Sequence, residues 1–310
     1  MRRTLLAAVS AVALLSGCGT NSSSSSSDTV KGSGDKGSVT IAAANFGESA
    51  ILANMYSDVL RKAGFTTTVK ALTNREVIEP ALEKGEVQLV PEYLSSLTEF
   101  IDAKKNGPNA KTLASPSATK TLAALQSLGS PRHLKALTPS PATDQNAFAV
   151  TQDFATKNNL SKLSDLASYR GKLTLGGPPE CPKRPYCQLG LKKTYGISFT
   201  GFKALDAGGP LTKTAIKQGK VQVGLVFSSD GNIEALKLKV LTDDKHLQNA
   251  DNIVPVINTK VDKPELASAL NKLSAVLTTA DLVALNKKVG IDRGDPAKVA
   301  SDYLTSKNLV

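Results

Sequence analysis

The chemistry-bearing residues of this sequence are aromatic rings and acids set side by side where apolar runs end. In residues 77–97, VIEPALEKGEVQLVPEYLSSL, a short helical pattern stops at Gly85, an apolar run follows, and Glu92 and Tyr93 come directly after Pro91. In an open α/β sheet the crevice beyond the carboxyl ends of the strands is where ligands bind. A Tyr delivered there presents a π-face, which holds a cation that has no hydrogen-bond donor of its own. The pattern recurs farther on: Ala215-Ile216-Lys217-Gln218-Gly219-Lys220-Val221-Gln222-Val223-Gly224 repeats the order helix, Gly, strand, and leads to Phe227-Ser228-Ser229-Asp230. If both strand ends face one cleft, Tyr93 and Phe227 confront each other across it. Each ring also has a plainer reading, Tyr93 as a core-edge ring with a solvated hydroxyl and Phe227 as core filler. Support for an enzyme is thin. No Gly-x-Ser-x-Gly elbow, His-Glu-x-x-His helix or P-loop occurs, His133 and His246 stand apart, and nothing selects an acid pair among the plentiful Asp and Glu. No cofactor or metal is called for.

The elements that must position these residues read as alternating strands and helices. Residues 39–44, VTIAAA, form an apolar run without turn residues, the pattern of a buried parallel strand. Asn45-Phe46-Gly47-Glu48 follows as a turn, and then Ile51, Leu52, Met55, Val59 and Leu60 recur at helical spacing up to Gly64, a C-cap signal. Residues 69–72 read as the second strand, Thr73-x-x-Glu76 as a capping box, Gly85 as the next helix stop, and 87–90 as a third strand ended by Pro91. Pro80 sits awkwardly in that helix and either kinks it or marks its start. This order predicts a parallel sheet with its loops on one edge. A helix is expected over 117–128. Pro139, Pro141, Asp144 and Asn146, followed by the apolar 147–150, mark a crossing to a second α/β region. There the patterns predict helices near 163–166, 190–195 and 212–218 and strands at 173–175, 202–205 and 221–227. Three helical patterns close the chain, over 264–278, 281–289 and 296–307.

At 310 residues, with 41% apolar and 21% charged residues, the chain is globular and long enough for two lobes. It has no Trp, so an aromatic site must be built from six Tyr and eight Phe. The formal charge of +11 is spread over predicted helices and loops. No basic run interleaved with aromatics forms a nucleic-acid face, and a solvated basic surface is the reading adopted. At the N-terminus Arg2 and Arg3 precede an apolar stretch, residues 5–15, too short to cross a bilayer as a permanent helix. Leu15-Ser16-Gly17-Cys18 resembles the lipobox of bacterial lipoproteins, which implies cleavage before Cys18 and diacylation of its thiol. The alternative is an ordinary secretory leader with a stray Cys. Residues 18–37, with Ser22 to Ser27 in a row, then form a flexible tether that keeps a working body near the membrane, outside the cytoplasm. Cys181 and Cys187 remain, five residues apart in between. In an oxidising compartment they read as a disulfide closing a small loop that carries Arg184 and Tyr186. Two free thiols, or half of a metal site with no His nearby, are the alternatives.

Taken together and in order, several short motifs resemble the substrate-binding proteins of ABC importers for glycine betaine, choline and related osmoprotectants. They are Asn45-Phe46-Gly47-Glu48-Ser49, Ala81-Leu82-x-x-Gly85-Glu86 leading to Pro91-Glu92-Tyr93, and Asp144 through Val150. Gly190-Leu191-x-x-x-Tyr195-Gly196, Ala215-Ile216-x-x-Gly219-x-Val221 and Ser229-Asp230-Gly231-x-Ile233 complete the set. The resemblance spans about residues 39–304. It implies an α/β, bilobal type II periplasmic-binding fold whose lobes are joined by a two-segment hinge. We place one lobe at 38–142 with 255–310, the other at 143–254, and the leader at 1–17. It further implies a monomer that captures a quaternary ammonium in a cage of rings and hands it to a permease. Tyr93, Phe227, Tyr186 and Phe46 are the candidate rings, with Phe46 alternatively a hydrophobic staple. Arg184 is a candidate partner for a ligand carboxylate, or simply a solvated cation beside Lys183. Asn74, Asp144, Asn146 and Asp230 are candidate polar contacts, or caps and turn residues. The chain departs from the family at Val90 and Phe227, where Tyr is common, and at Ser95-Ser96, where Gly-Thr is common. Two other functions are therefore weighed: the same fold for an amino-acid-like or thione betaine ligand, and a lipoprotein interaction module outside transport.

Overall fold

A computed structural model describes residues 36–310. The predicted leader, Cys18 and all but the end of the tether lie outside the described residues. Along the first half run β1 (Ser38–Ala44), α1 (Gly47–Lys62), β2 (Thr66–Leu72), α2 (Arg75–Lys84), β3 (Leu89–Tyr93), α3 (Leu94–Asn106), α4 (Ala118–Gly129) and β4 (Leu134–Ala136). There follow β5 (Asn146–Thr151), α5 (Gln152–Lys157), α6 (Leu163–Ser168), β6 (Thr174–Gly177), α7 (Gln188–Gly190), β7 (Gly201–Ala204), α8 (Pro210–Lys217), β8 (Val223–Phe227) and β9 (Leu238–Leu241). The chain closes with β10 (Ile253–Asn258), α9 (Pro264–Val276), α10 (Thr279–Gly290) and α11 (Pro296–Ser306).

Two five-stranded sheets result, ordered β2-β1-β3-β10-β4 and β7-β6-β8-β5-β9. Each has the parallel core expected from βαβ order, but neither is wholly parallel: β10 runs antiparallel to β3 and β4, and β5 antiparallel to β8 and β9. A strand returning from the other sheet needs no helical crossover, so it enters in the opposite sense. The chain leaves the first sheet over residues 137–145 and comes back over 242–252. These two crossings pair with each other. Thr143 bridges Asn252, and the Asp144 N–H donates to the Asp251 carbonyl at 3.1 Å.

The helices form for the reasons their spacing supplies. In α1, Ile51, Met55 and Val59 alternate with Leu52, Tyr56 and Leu60 to bury one broad face. That face packs in a cluster with Leu266, Leu270, Leu282 and Tyr303 of α9 to α11. The opposite face of the first sheet carries Ile78, Leu82, Leu97 and Leu125 from α2 to α4. Gly85 ends α2 with φ 76°, a left-handed conformation open to Gly at no steric cost.

Four local expectations change. The Thr73–Glu76 capping box does not form: Asn74 is the N-cap, it makes no side-chain cap bond, and Glu76 turns to Arg184 instead. Pro80 lies inside α2, which continues through it. The third strand does not end at Pro91 but runs to Tyr93, with Pro91 opposite Pro255. Two facing prolines fit where an antiparallel pair exchanges no hydrogen bonds, so neither missing N–H is needed there. The helix expected at 190–195 is a π-helical turn, Leu191–Tyr195, following the short α7. The sequence reading also passed over α3, α5, β4, β9 and β10. Leu94, Leu97 and Ile101 of α3 carry helical spacing, but Ser95-Ser96 beside the strand end obscured its start.

An aromatic cavity between the two sheets

Residues from both sheets meet around one cavity of about 130 Å³. Phe46 is the N-cap residue of α1 and reaches it from the end of β1. Its ring centroid lies 6.3 Å from that of Tyr93 and 5.5 Å from that of Phe227, each pair tilted by 32°. Tyr93 closes β3 and Phe227 closes β8, so two strand ends do confront each other, with Phe46 between them. Tyr186 joins from the loop closed by a disulfide between Cys181 and Cys187. The Tyr186 carbonyl accepts from Asn146 Nδ2 at 3.0 Å and Gln248 Nε2 at 3.2 Å, and its hydroxyl accepts from Asn249 Nδ2 at 3.2 Å. Burial raises its phenol well above the ordinary range.

The Tyr93 hydroxyl is not solvated. It donates to Glu48 Oε1 at 2.7 Å, and the ring is only 9% exposed. Glu48 stands in the first turn of α1, where a carboxylate is favoured by the helix dipole. Its other oxygen accepts from Ser229 Oγ at 2.7 Å and Asn286 Nδ2 at 2.5 Å. One buried carboxylate thus gathers β3, α10 and the turn after β8. Burial, then the Glu48 and Asp144 charges, push the Tyr93 phenol well above its usual value, so it remains a neutral donor.

Around the rings the polar wall is largely acidic. Asp144 is buried and its Oδ1 accepts from Ser229 N at 2.8 Å and Ser228 Oγ at 3.1 Å. Burial, then the neighbouring Glu48, hold its carboxyl well above the ordinary range. Asp251 accepts from Ser96 N at 2.9 Å and Ser96 Oγ at 2.7 Å, and burial pushes it up to about 6. Arg75 forks onto Glu92, with Nε 2.9 Å from Oε1 and Nη2 2.6 Å from Oε2. Arg184 forks onto Glu76 at 2.9 and 2.7 Å, and its guanidinium carbon lies 5.3 Å from the Phe100 ring centre. Although burial raises Glu76, the hydrogen bonds and charge of Arg184 leave it below the ordinary carboxylate value.

Eight of the nine candidate contact residues therefore line one cavity: Phe46, Asn74, Tyr93, Asp144, Asn146, Arg184, Tyr186 and Phe227. Asn74 brings a buried Oδ1 that has no hydrogen-bond partner. Asp230 stands apart, ion-paired with Lys213 at 2.7 Å and facing a second cavity on the far side of Phe46 and Phe227. A charge so matched by its own helix neighbour serves the turn, not the aromatic enclosure. The sequence reading missed Arg75, Glu99 and Asp251 on the wall, and Asn286 behind it. Glu48 and Ser229 were in view as motif residues, but nothing local tells that they touch across 181 positions. Among the described residues no helix is long and apolar enough to cross a membrane.

Residues 37–306 match the model of the substrate-binding domain of ABC-type glycine betaine transport systems. The glycine betaine-binding protein YehZ of Escherichia coli is 29% identical over 272 residues, which is 84% of this chain and 87% of that protein. A glycine-betaine-binding protein of Pseudomonas aeruginosa is 28% identical over 281 residues, 86% of each chain. Among solved structures, that of a glycine betaine/carnitine/choline ABC transporter superposes with a TM-score of 0.65 at 26% identity, covering 87% of this chain and 99% of that one. The two mixed sheets are those of the bilobal substrate-binding proteins, and the chain belongs to the family of substrate-binding domains of ABC-type glycine betaine transport systems.

Proposed function

We propose that this protein captures a quaternary-ammonium compatible solute, of the glycine betaine or choline kind, between two lobes and delivers it to an ABC permease. The observation that carries this reading is the convergence of Phe46, Tyr93, Phe227 and Tyr186 on one enclosed cavity. A trimethylammonium has no N–H to donate, so ring faces are its natural partners, each contributing ~0.5–2 kcal/mol when desolvated. The cavity, about 130 Å³, is close in size to engineered cavities of roughly 150 Å³ that take up benzene, which suits a solute of that bulk. The lobes we assign are 38–142 with 255–310 and 143–254, and the paired crossings between them serve as the hinge. Ligand then favours the closed arrangement because only that arrangement brings the rings together. Cys18, diacylated after removal of 1–17, holds the monomer at the outer face of the cell membrane beside its permease.

A second reading keeps the fold and changes the ligand to an amino-acid-like or thione betaine. Val90 and Phe227, where the chain departs from the pattern of the family it resembles, favour it, since both line the cavity. Thermal-shift screening against glycine betaine, choline, carnitine, proline betaine, ergothioneine and amino acids separates the two. Ligand at 1,000 times its Kd adds ~4 kcal/mol of stability, and absence of any shift with every quaternary amine discards the first reading.

A further inference from the structure

Of three carboxylates on the wall of the aromatic cavity, Asp144 and Glu99 have no cation beside them, and Asp251 feels only the charge of Arg75, which Glu92 already holds. Asp144 and Asp251 are each 2% exposed and Glu99 is 6% exposed. All their hydrogen bonds come from neutral donors: Ser228 and Ser229 to Asp144, Ser96 to Asp251, and the N–H groups of Leu113 and Ala114 to Glu99. The wall's two cations are already matched, Arg75 by Glu92 and Arg184 by Glu76. No Lys or His lines the cavity. Enclosed carboxylates without a counter-charge are costly, and the cost falls when a cation enters. A ligand that brings its own carboxylate brings one more negative charge into the same enclosure and finds no unmatched cation to receive it.

From this imbalance we infer that the site prefers a quaternary ammonium of net positive charge and no carboxylate, the choline class, over zwitterionic betaines. The inference rests on the quaternary-ammonium reading above and adds the charge of the ligand to it. The rings cannot make this choice, because both classes present the same trimethylammonium to them. The carboxylates can, because the classes differ by one unit charge at the other end. Both hydrogen bonds to the Asp144 side chain end on Oδ1, which leaves Oδ2 able to accept from a ligand hydroxyl. Burial holds Asp144 above ordinary carboxylate values, and Asp251 too despite the lowering charge of Arg75.

The deciding measurement compares ligands matched in shape and different in charge. Glycine betaine and its primary amide have nearly the same size, but the amide is a net cation. By titration calorimetry on the intact protein, the amide and choline should each bind at least tenfold tighter than glycine betaine. Asp144→Asn and Asp251→Asn should each shrink that preference several-fold. Should either variant fail to fold, the comparison on the unaltered protein still decides. Equal or tighter binding of glycine betaine overturns the charge inference and leaves the quaternary-ammonium reading standing. If none of the three ligands binds, the quaternary-ammonium reading falls and takes this inference with it.

Discussion

Tyr93 combines two functions that a single substitution separates. Its ring faces the cavity beside Phe46, and its hydroxyl is tied to Glu48. Tyr93→Phe keeps the ring and should change ligand affinity less than tenfold, whereas Tyr93→Ala and Phe227→Ala should each weaken it at least tenfold by calorimetry. The hydroxyl matters more for stability. Glu48→Ala removes the shared acceptor of Tyr93, Ser229 and Asn286 and should cost about 3 kcal/mol in urea unfolding. Asp251 gives the opposite sign. Its carboxyl moves from an ordinary 3.8 to about 6 on folding, so between those values the folded state keeps a proton that the unfolded state has lost. Stability from this group therefore falls as pH rises through that window and stays low above it. Asp251→Asn should stabilise the ligand-free protein by up to about 3 kcal/mol at pH 7.5 and by about half as much at pH 5. Equal gains at both pH values would show that its ionisation is not what burial opposes.

Elements bring these residues to the cavity by their ends. Tyr93 and Phe227 are the last residues of β3 and β8, Phe46 caps α1, and Asn74 caps α2. The disulfide loop is an irregular contributor, as are the crossings that carry Asp144 and Asp251, and Tyr186 is held there through its backbone carbonyl as well as its hydroxyl. Closing so short a loop stabilises by about 2 kcal/mol in the chain-entropy account. The double variant Cys181→Ser with Cys187→Ser should lose about that much stability and bind ligand several-fold more weakly, and thiol titration of the unfolded, unreduced protein should find neither Cys free. Ser95 and Ser96, which depart from the family pattern, have a structural use at the start of α3. Ser95 Oγ donates to the Ala250 carbonyl at 2.6 Å and Ser96 holds Asp251, so both fasten the returning crossing to the first sheet. Val90, another departure, lies on the cavity wall.

Across the whole molecule, the side-chain ties that join the two sheets around the cavity are the Phe46–Phe227 ring contact and a few polar bonds. Ser229 to Glu48 is buried, while Arg184 to Glu76 is half-exposed and so weaker in water. Polar ties that water can replace suit a cleft that must open. Arg184→Ala should favour the open form modestly, raising Kd a few-fold and enlarging the ligand-free radius of gyration in X-ray scattering, with saturating ligand restoring the compact value. Unchanged scattering and affinity would show that this pair does not hold the halves together. The net charge of +11 contrasts with the acidic cavity wall, so the basic character belongs to the outer surface and plays no part in holding the ligand.

Much of the fold was legible because its signals are local. Apolar runs, helical spacing and the stop at Gly85 depend on neighbours a few positions apart, and they yielded the α/β order, most helices and the echo between the two halves. The rings at the strand ends were legible for the same reason, since a strand's end is written beside it. Contacts across hundreds of positions carry no such mark. That β10 enters the first sheet antiparallel, that Pro91 faces Pro255, and that Ser229 meets Glu48 are decided by how returning segments pack. The acids were too many in the sequence for any of them to stand out. Only the fold decided that Arg75 and Arg184 are matched by Glu92 and Glu76 while Asp144 and Glu99 are enclosed without a cation, because the charge a ligand meets is set by which groups are buried together.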